Sequence, residues 1–126
     1  MTTPRANPPN PTELRYDTAA HVLHVTFDNE ERFSYSAEFL RVHSPSAEVR
    51  GHGPGQEVLQ VGKERVGIEG IEPVGNYAVR LRFDDGHDTG LYSWEELHWL
   101  GTHQEQLWND YLERLRTAGH QRRLDA

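Results

Sequence analysis

From Glu13 to Phe83 most apolar residues recur at every second position, and after Ser93 they recur every three or four, so the chain passes from strand to helix period. Leu14–Tyr16 predicts a short strand. His21–Phe27 predicts a longer one, with Leu23, Val25 and Phe27 on one face and Val22, His24 and Thr26 on the other. Asp28-Asn29-Glu30 supplies a turn, Arg32–Tyr35 the returning strand of a hairpin, and Ser36 the cap of a short helical turn to Arg41. Leu59–Val66 is a weaker strand signal interrupted by Gly62, whereas Val66–Val74 alternates better and ends at a Gly75-Asn76 turn. Tyr77–Phe83 is the clearest strand: Tyr77, Val79, Leu81 and Phe83 share one face, and Ala78, Arg80 and Arg82 share the other. The turn Asp84-Asp85-Gly86-His87 follows, and Thr89–Tyr92 returns the chain.

Ser93-Trp-Glu-Glu96 is a capping box and predicts a helix to Leu100, stopped by Gly101. Thr102-His-Gln-Glu105 repeats the device, and Leu107, Trp108, Tyr111, Leu112 and Leu115 mark one helical face up to Ala118, with Gly119 as the stop. Strands followed by helices predict an α+β fold, a small, mainly antiparallel sheet with hairpins packed by two C-terminal helices. Residues 1–11 hold four prolines and read as a disordered leader, 12–102 as the domain, 103–119 as an amphipathic helix packed on it, and 120–126 as a frayed tail.

Composition narrows the function classes. The 126 residues fit one domain. A net charge of -7 gives no electrostatic support for gripping nucleic acid, so no nucleic-acid partner is expected. No apolar run approaches the roughly 20 residues a membrane span needs, so a cytoplasmic protein with no membrane partner is expected. With no cysteine, a metal here must use His, Asp or Glu.

The segments PTELRY, AEFLRVHSPSAEVRGHG and IEPVGNYAVRLRFDDGHDTGLYSWEEL together resemble the DUF971 family, the gamma-butyrobetaine hydroxylase-like N-terminal domain, in its stand-alone bacterial type. In that family the domain also precedes the catalytic domain of carnitine-pathway 2-oxoglutarate dioxygenases and is joined to Mrp-type iron–sulfur carrier ATPases. The resemblance implies a protein partner of one of these types. It also implies a zinc site of three cysteines and a histidine in the dioxygenase members. Carried onto this chain, the cysteine positions are Ser44, Ser46 and Val49, and the histidine is His87. Neutral serine hydroxyls and valine do not make a closed tetrahedral zinc site, so the cysteine positions are lost ligands.

Two readings of the stretch Leu40–Gly55 stay open. In the first it is structural: Ser44 caps, Pro45 opens a helical turn, Ala47–Arg50 completes it, and Gly51 stops it. In the second, His43, His52 and His87, with Asp85 or Asp88, hold zinc or iron. An anion pocket from Arg41 and Arg50 ranks below both. Asp85, Gly86 and His87 suit a structural turn that ties to this stretch. Tyr92, Trp94 and the other tryptophans are expected mostly in the core, with one tryptophan available for a partner surface. His103-Gln-Glu105 matches the start of an oxygenase ligand set only by accident, because residues two apart on a helix face different ways. No complete catalytic constellation is visible. The expectation is therefore a non-catalytic accessory or protein-interaction domain with no cofactor, whose surface near Leu40–Gly55 and the Asp85–Tyr92 turn, with Asp85, Gly86, His87, Tyr92, Trp94, Arg41 and Arg50 as interaction or structural residues, meets another protein; the alternative is a histidine-based zinc or iron protein.

Overall fold

A computed structural model describes residues 9–51, 53 and 55–123 of the chain. Three strands, β1 (Pro11–Asp17), β2 (Val22–Phe27) and β3 (Arg32–Ser36), form an antiparallel meander in the order β1-β2-β3. Its register pairs Leu14 with Val25 and Val25 with Phe33, placing alternate apolar side chains on one face. Two short helices follow, α1 (Ala37–Val42) and α2 (Ala47–Arg50). A second meander, β4 (Ile68–Val74), β5 (Ala78–Phe83) and β6 (Gly90–Ser93), precedes α3 (Trp94–Thr102) and α4 (Gln104–Thr117). The α+β class and its hairpins match the expectation, but the strands form two three-stranded sheets and not one.

Both sheets close on one core. Leu23, Val25, Phe27 and Tyr35 from the first meet Val79, Leu81, Phe83 and Tyr92 from the second, with Phe39, Leu40, Leu97 and Leu100 supplied by helices. Each such side chain, fully buried, contributes about 1.5–3 kcal/mol before entropy is counted. The buried tyrosines satisfy their hydroxyls on backbone: Tyr35 donates to Leu97 O at 2.6 Å and Tyr92 to Leu40 O, so each ties a sheet to a helix. A smaller cluster of Val42, Tyr111 and Leu115 holds α4 against α1, and Tyr111 donates to Gln60 O at 2.6 Å.

Several sequence expectations change. The ladder closes at the pair Val74 and Ala78, leaving Tyr77 in the turn and 55% exposed, so it does not join the core face of β5. No strand forms over Leu59–Val66, where Gly62 adopts a φ of 73°. Gly101 does not end α3. The helix runs on to Thr102 because Phe33 and Tyr35 pack against its bare Cα; a Cβ at Gly101 would sit 2.6 Å from Phe33 Cγ. The second capping box is absent: α4 starts from His103 with no side-chain cap, and the Thr102 hydroxyl donates to Trp99 O at 3.0 Å. Beyond Gly119, Arg122 is bonded to Glu38 and lies 5.0 Å from the Trp108 ring centre.

Candidate functional site

The stretch after α1 and the turn before β6 meet at a buried polar cluster. Ser46, and not Ser44, caps α2, its Oγ accepting from Glu48 N at 3.2 Å. Ser44 is thereby released to turn inward, where it has no exposed surface, and its Oγ accepts from Ser46 N at 3.2 Å. The close approach of Ser44 requires Gly90, since a Cβ there would lie 2.6 Å from Ser44 Oγ. Opposite, Asp85 Oδ1 accepts from the His87 amide at 3.1 Å, and Phe83 N donates to His87 O at 2.9 Å, across a turn that Gly86 permits with a φ of 92°. This turn aims the His87 ring at the loop.

His87 is the hinge pin of the cluster. Its Nδ1 lies 3.2 Å from Glu48 Oε2 and its Nε2 lies 2.9 Å from Ser44 Oγ. A carboxylate only accepts, so Nδ1 carries the proton and Nε2 accepts from the Ser44 hydroxyl. Burial and the nearby Arg41 guanidinium lower the His87 pKa, and Glu48 and Asp85 oppose them. Ser46 Oγ lies 2.7 Å from Thr89 Oγ1, a second bond between loop and turn.

Asp85 joins the third side. Its Oδ2 accepts from Arg41 Nε at 2.8 Å and from Lys63 Nζ at 2.7 Å. Partial burial works against its charge, but Lys63, the His87 amide and Arg41 bring its pKa down to about 2. Arg41 is buried and also donates to Gln60 Oε1 at 3.0 Å, which leaves its fork engaged inside the protein.

Of the residues singled out in the sequence, the structure brings together Arg41, Ser44, Ser46, Asp85, Gly86 and His87. Val49 is buried beside them. Tyr92 lies beneath, its hydroxyl pushed well above the usual phenol range by burial. Arg50 pairs with Glu96 on α3 and donates to His43 O at 3.4 Å. Trp94 stands elsewhere, its Nε1 donating to Asn76 O at 2.7 Å. His43 has different surroundings from His87: its ring is 4.5 Å from that of Phe39 and 6.2 Å from that of Tyr111, with Nδ1 2.9 Å from Phe39 O. Burial lowers the His43 pKa. His52 lies outside the described residues. Glu48, Gln60, Lys63 and Thr89 were missed by sequence reasoning. Lys63 carried a signal, being the only lysine in the chain; the others had none.

The cluster does not fit the zinc set that the resemblance implies. The four positions are all buried, yet they offer two hydroxyls, an isopropyl group and one imidazole whose nitrogens both have partners. Among the described residues no three of His, Asp and Glu converge to hold a metal. Ser44, His87 and Glu48 also have the order of a nucleophile, base and acid. With no exposed surface on Ser44, a substrate carbonyl cannot reach its Oγ in this conformation. What the bonds accomplish is to clamp the loop to the turn.

Beside the clamp runs a groove of about 630 Å³. Val42, Val49, Leu100 and Leu107 line it, and Val58 and Trp99 stand at it 53% and 41% exposed. Trp99 is the one exposed tryptophan, with Trp94 and Trp108 partly buried.

Fold and site define a small α+β domain in which a histidine turn is clamped to a serine loop. The chain belongs to the gamma-butyrobetaine hydroxylase-like N-terminal family, DUF971, whose profile matches residues 14–98. It is similar to two proteins with solution NMR structures: one is 51% identical over 97% of this chain and 91% of that one, the other 47% identical over 95% and 94%, each with a TM-score of 0.81. It is also similar to a DUF971 protein of unknown function from Acidithiobacillus ferrooxidans ATCC 23270, known from a crystal structure, at 35% identity and a TM-score of 0.62, covering 73% of this chain and 92% of that one. No curated protein matches the chain. Among the described residues no helix is long and apolar enough to cross a membrane.

Proposed function

We propose that this protein is a non-catalytic accessory domain that binds another protein and works without a bound metal or other cofactor. The observation that supports this reading most is the groove between α1, α2, α3 and α4, where Trp99 and Val58 leave apolar surface exposed next to a loop held shut by its own hydrogen bonds. The clamp spends its polar groups on each other, which suits a rigid platform better than a reacting centre. The family's fusions make an iron–sulfur carrier ATPase or a metal-dependent oxygenase the partner type.

The test is calorimetric titration of the full chain with the carrier ATPase and with the 2-oxoglutarate oxygenase from the same genome. Binding of one of them at a Kd of ~10 μM or better is expected. Failure of both to bind would overturn the partner assignment. The same sample, purified anaerobically and without a histidine tag, is assayed for zinc and iron. Substoichiometric metal is expected, and one metal per chain, lost in His87→Ala, would instead establish a histidine site.

A further inference from the structure

The groove carries more than apolar surface. Glu57 and Arg114 both stand at it, and neither makes an ion pair among the described residues. Arg50, by contrast, is already held by Glu96. Glu57 and Arg114 are both solvent-exposed, so one carboxylate and one guanidinium are open to an incoming partner around an apolar floor. A fatty acid or another singly charged amphiphile satisfies one of them and leaves the other bare. A nucleic acid meets a chain whose net charge is -7. A second copy brings its own Glu57 and Arg114 but also a net charge of -7 against -7, which opposes the contact; self-association through the groove on raising the protein concentration would overturn the peptide assignment.

An occupant that meets both charges and the floor is dipolar with an apolar centre, the chemistry of a peptide segment. We infer that the groove is the docking site for an exposed segment of the partner protein, in which one or two large apolar side chains lie against Trp99 and Val58, flanked by a basic residue for Glu57 and an acidic one for Arg114. This rests on the interaction reading above and adds where the partner binds and what its segment looks like. Trp99 is the natural anchor: its ring stacks on His103 at 4.6 Å between centres, so it is held in place before binding and loses little freedom on contact.

A random dodecapeptide library displayed on phage is selected against the immobilised full chain, and enriched peptides are synthesised and titrated into labelled protein by NMR. Enriched sequences are expected to carry large apolar residues bracketed by one basic and one acidic position, and to shift the Trp99 indole and Val58 amide signals. Trp99→Ala should weaken them about tenfold, the usual scale for losing an aromatic anchor. Glu57→Lys should weaken them by a similar factor and select peptides with an acidic residue at the matching position. Enriched peptides without that charge pattern, equal binding by Trp99→Ala, the same shifts from decanoate alone, or no enrichment at all would each overturn the inference. Binding of the whole partner protein that is unchanged in Trp99→Ala would overturn the groove while leaving the interaction reading standing.

Discussion

Replacing Asp85 with Asn keeps the shape and an acceptor for the His87 amide but removes the charge facing Arg41 and Lys63. Asp85 is 21% exposed and Arg41 8% on their side chains, so the pair is shielded enough for its charge to count. A carboxyl brought from 3.8 to about 2 corresponds to about 2 kcal/mol at neutral pH, at 1.36 kcal/mol per unit; because Asp85 as a residue is exposed, solvent screening reduces this to about 1 kcal/mol. Asp85→Asn should lose about 1 kcal/mol at pH 7, seen as a lower urea midpoint and a Tm lower by roughly 4 °C. The sign follows from the depressed folded pKa: the contribution is fully present above the unfolded value and is lost as pH falls through about 2. The difference between native and variant should therefore hold steady from pH 7 to pH 5 and shrink below pH 4. A loss under about 0.5 kcal/mol at pH 7, the scale of an exposed pair, would refute the view that Asp85 fastens α1 to the turn. So would a difference that is unchanged at pH 3.

Three further outcomes follow from other parts of the structure. Gly101→Ala places a methyl against Phe33 and Tyr35 and should cost about 1–3 kcal/mol in urea unfolding through overpacking, although alanine is the better helix former. Arg122→Ala leaves Glu38, only 6% exposed on its side chain, without its charge partner and should cost about 2–4 kcal/mol; in a double-mutant cycle, Glu38→Gln should recover much of that loss. His43 and His87 both have folded pKa values below 6.5, mainly through burial. The unfolded chain therefore binds more protons as pH falls through 6.5, and stability should drop between pH 7.5 and pH 5.5. His87→Asn should flatten that dependence in urea titrations at the two pH values.

The local elements were largely legible in the residues. Alternation in β2 and β5 reports one buried face, and Ser93 followed by Glu96 reports a helix start: Glu96 N donates to Ser93 Oγ at 3.0 Å. The errors fall where a partner distant in sequence decides. Gly101 looked like a stop because sequence shows its helix weakness but not Phe33 and Tyr35 pressed against it. Thr102-His-Gln-Glu105 looked like a cap because the pattern cannot reveal that the Thr102 hydroxyl already serves Trp99 O. The division of the strands into two sheets was hidden too, since both meanders have the same period.

At the candidate site the absence of cysteine ligands and the turn at Asp85-Gly86-His87 follow from the residues alone, because residue identity and short-range turn chemistry need no fold. That Ser44 meets His87 across 43 positions, that Arg41 and Lys63 share one carboxylate, and that Trp99 stays at the surface while Trp108 packs inward all depend on the folded chain. These are contacts between segments far apart in the chain. Their geometry depends on how the sheets and helices close over one core, a choice that no local pattern of residues encodes.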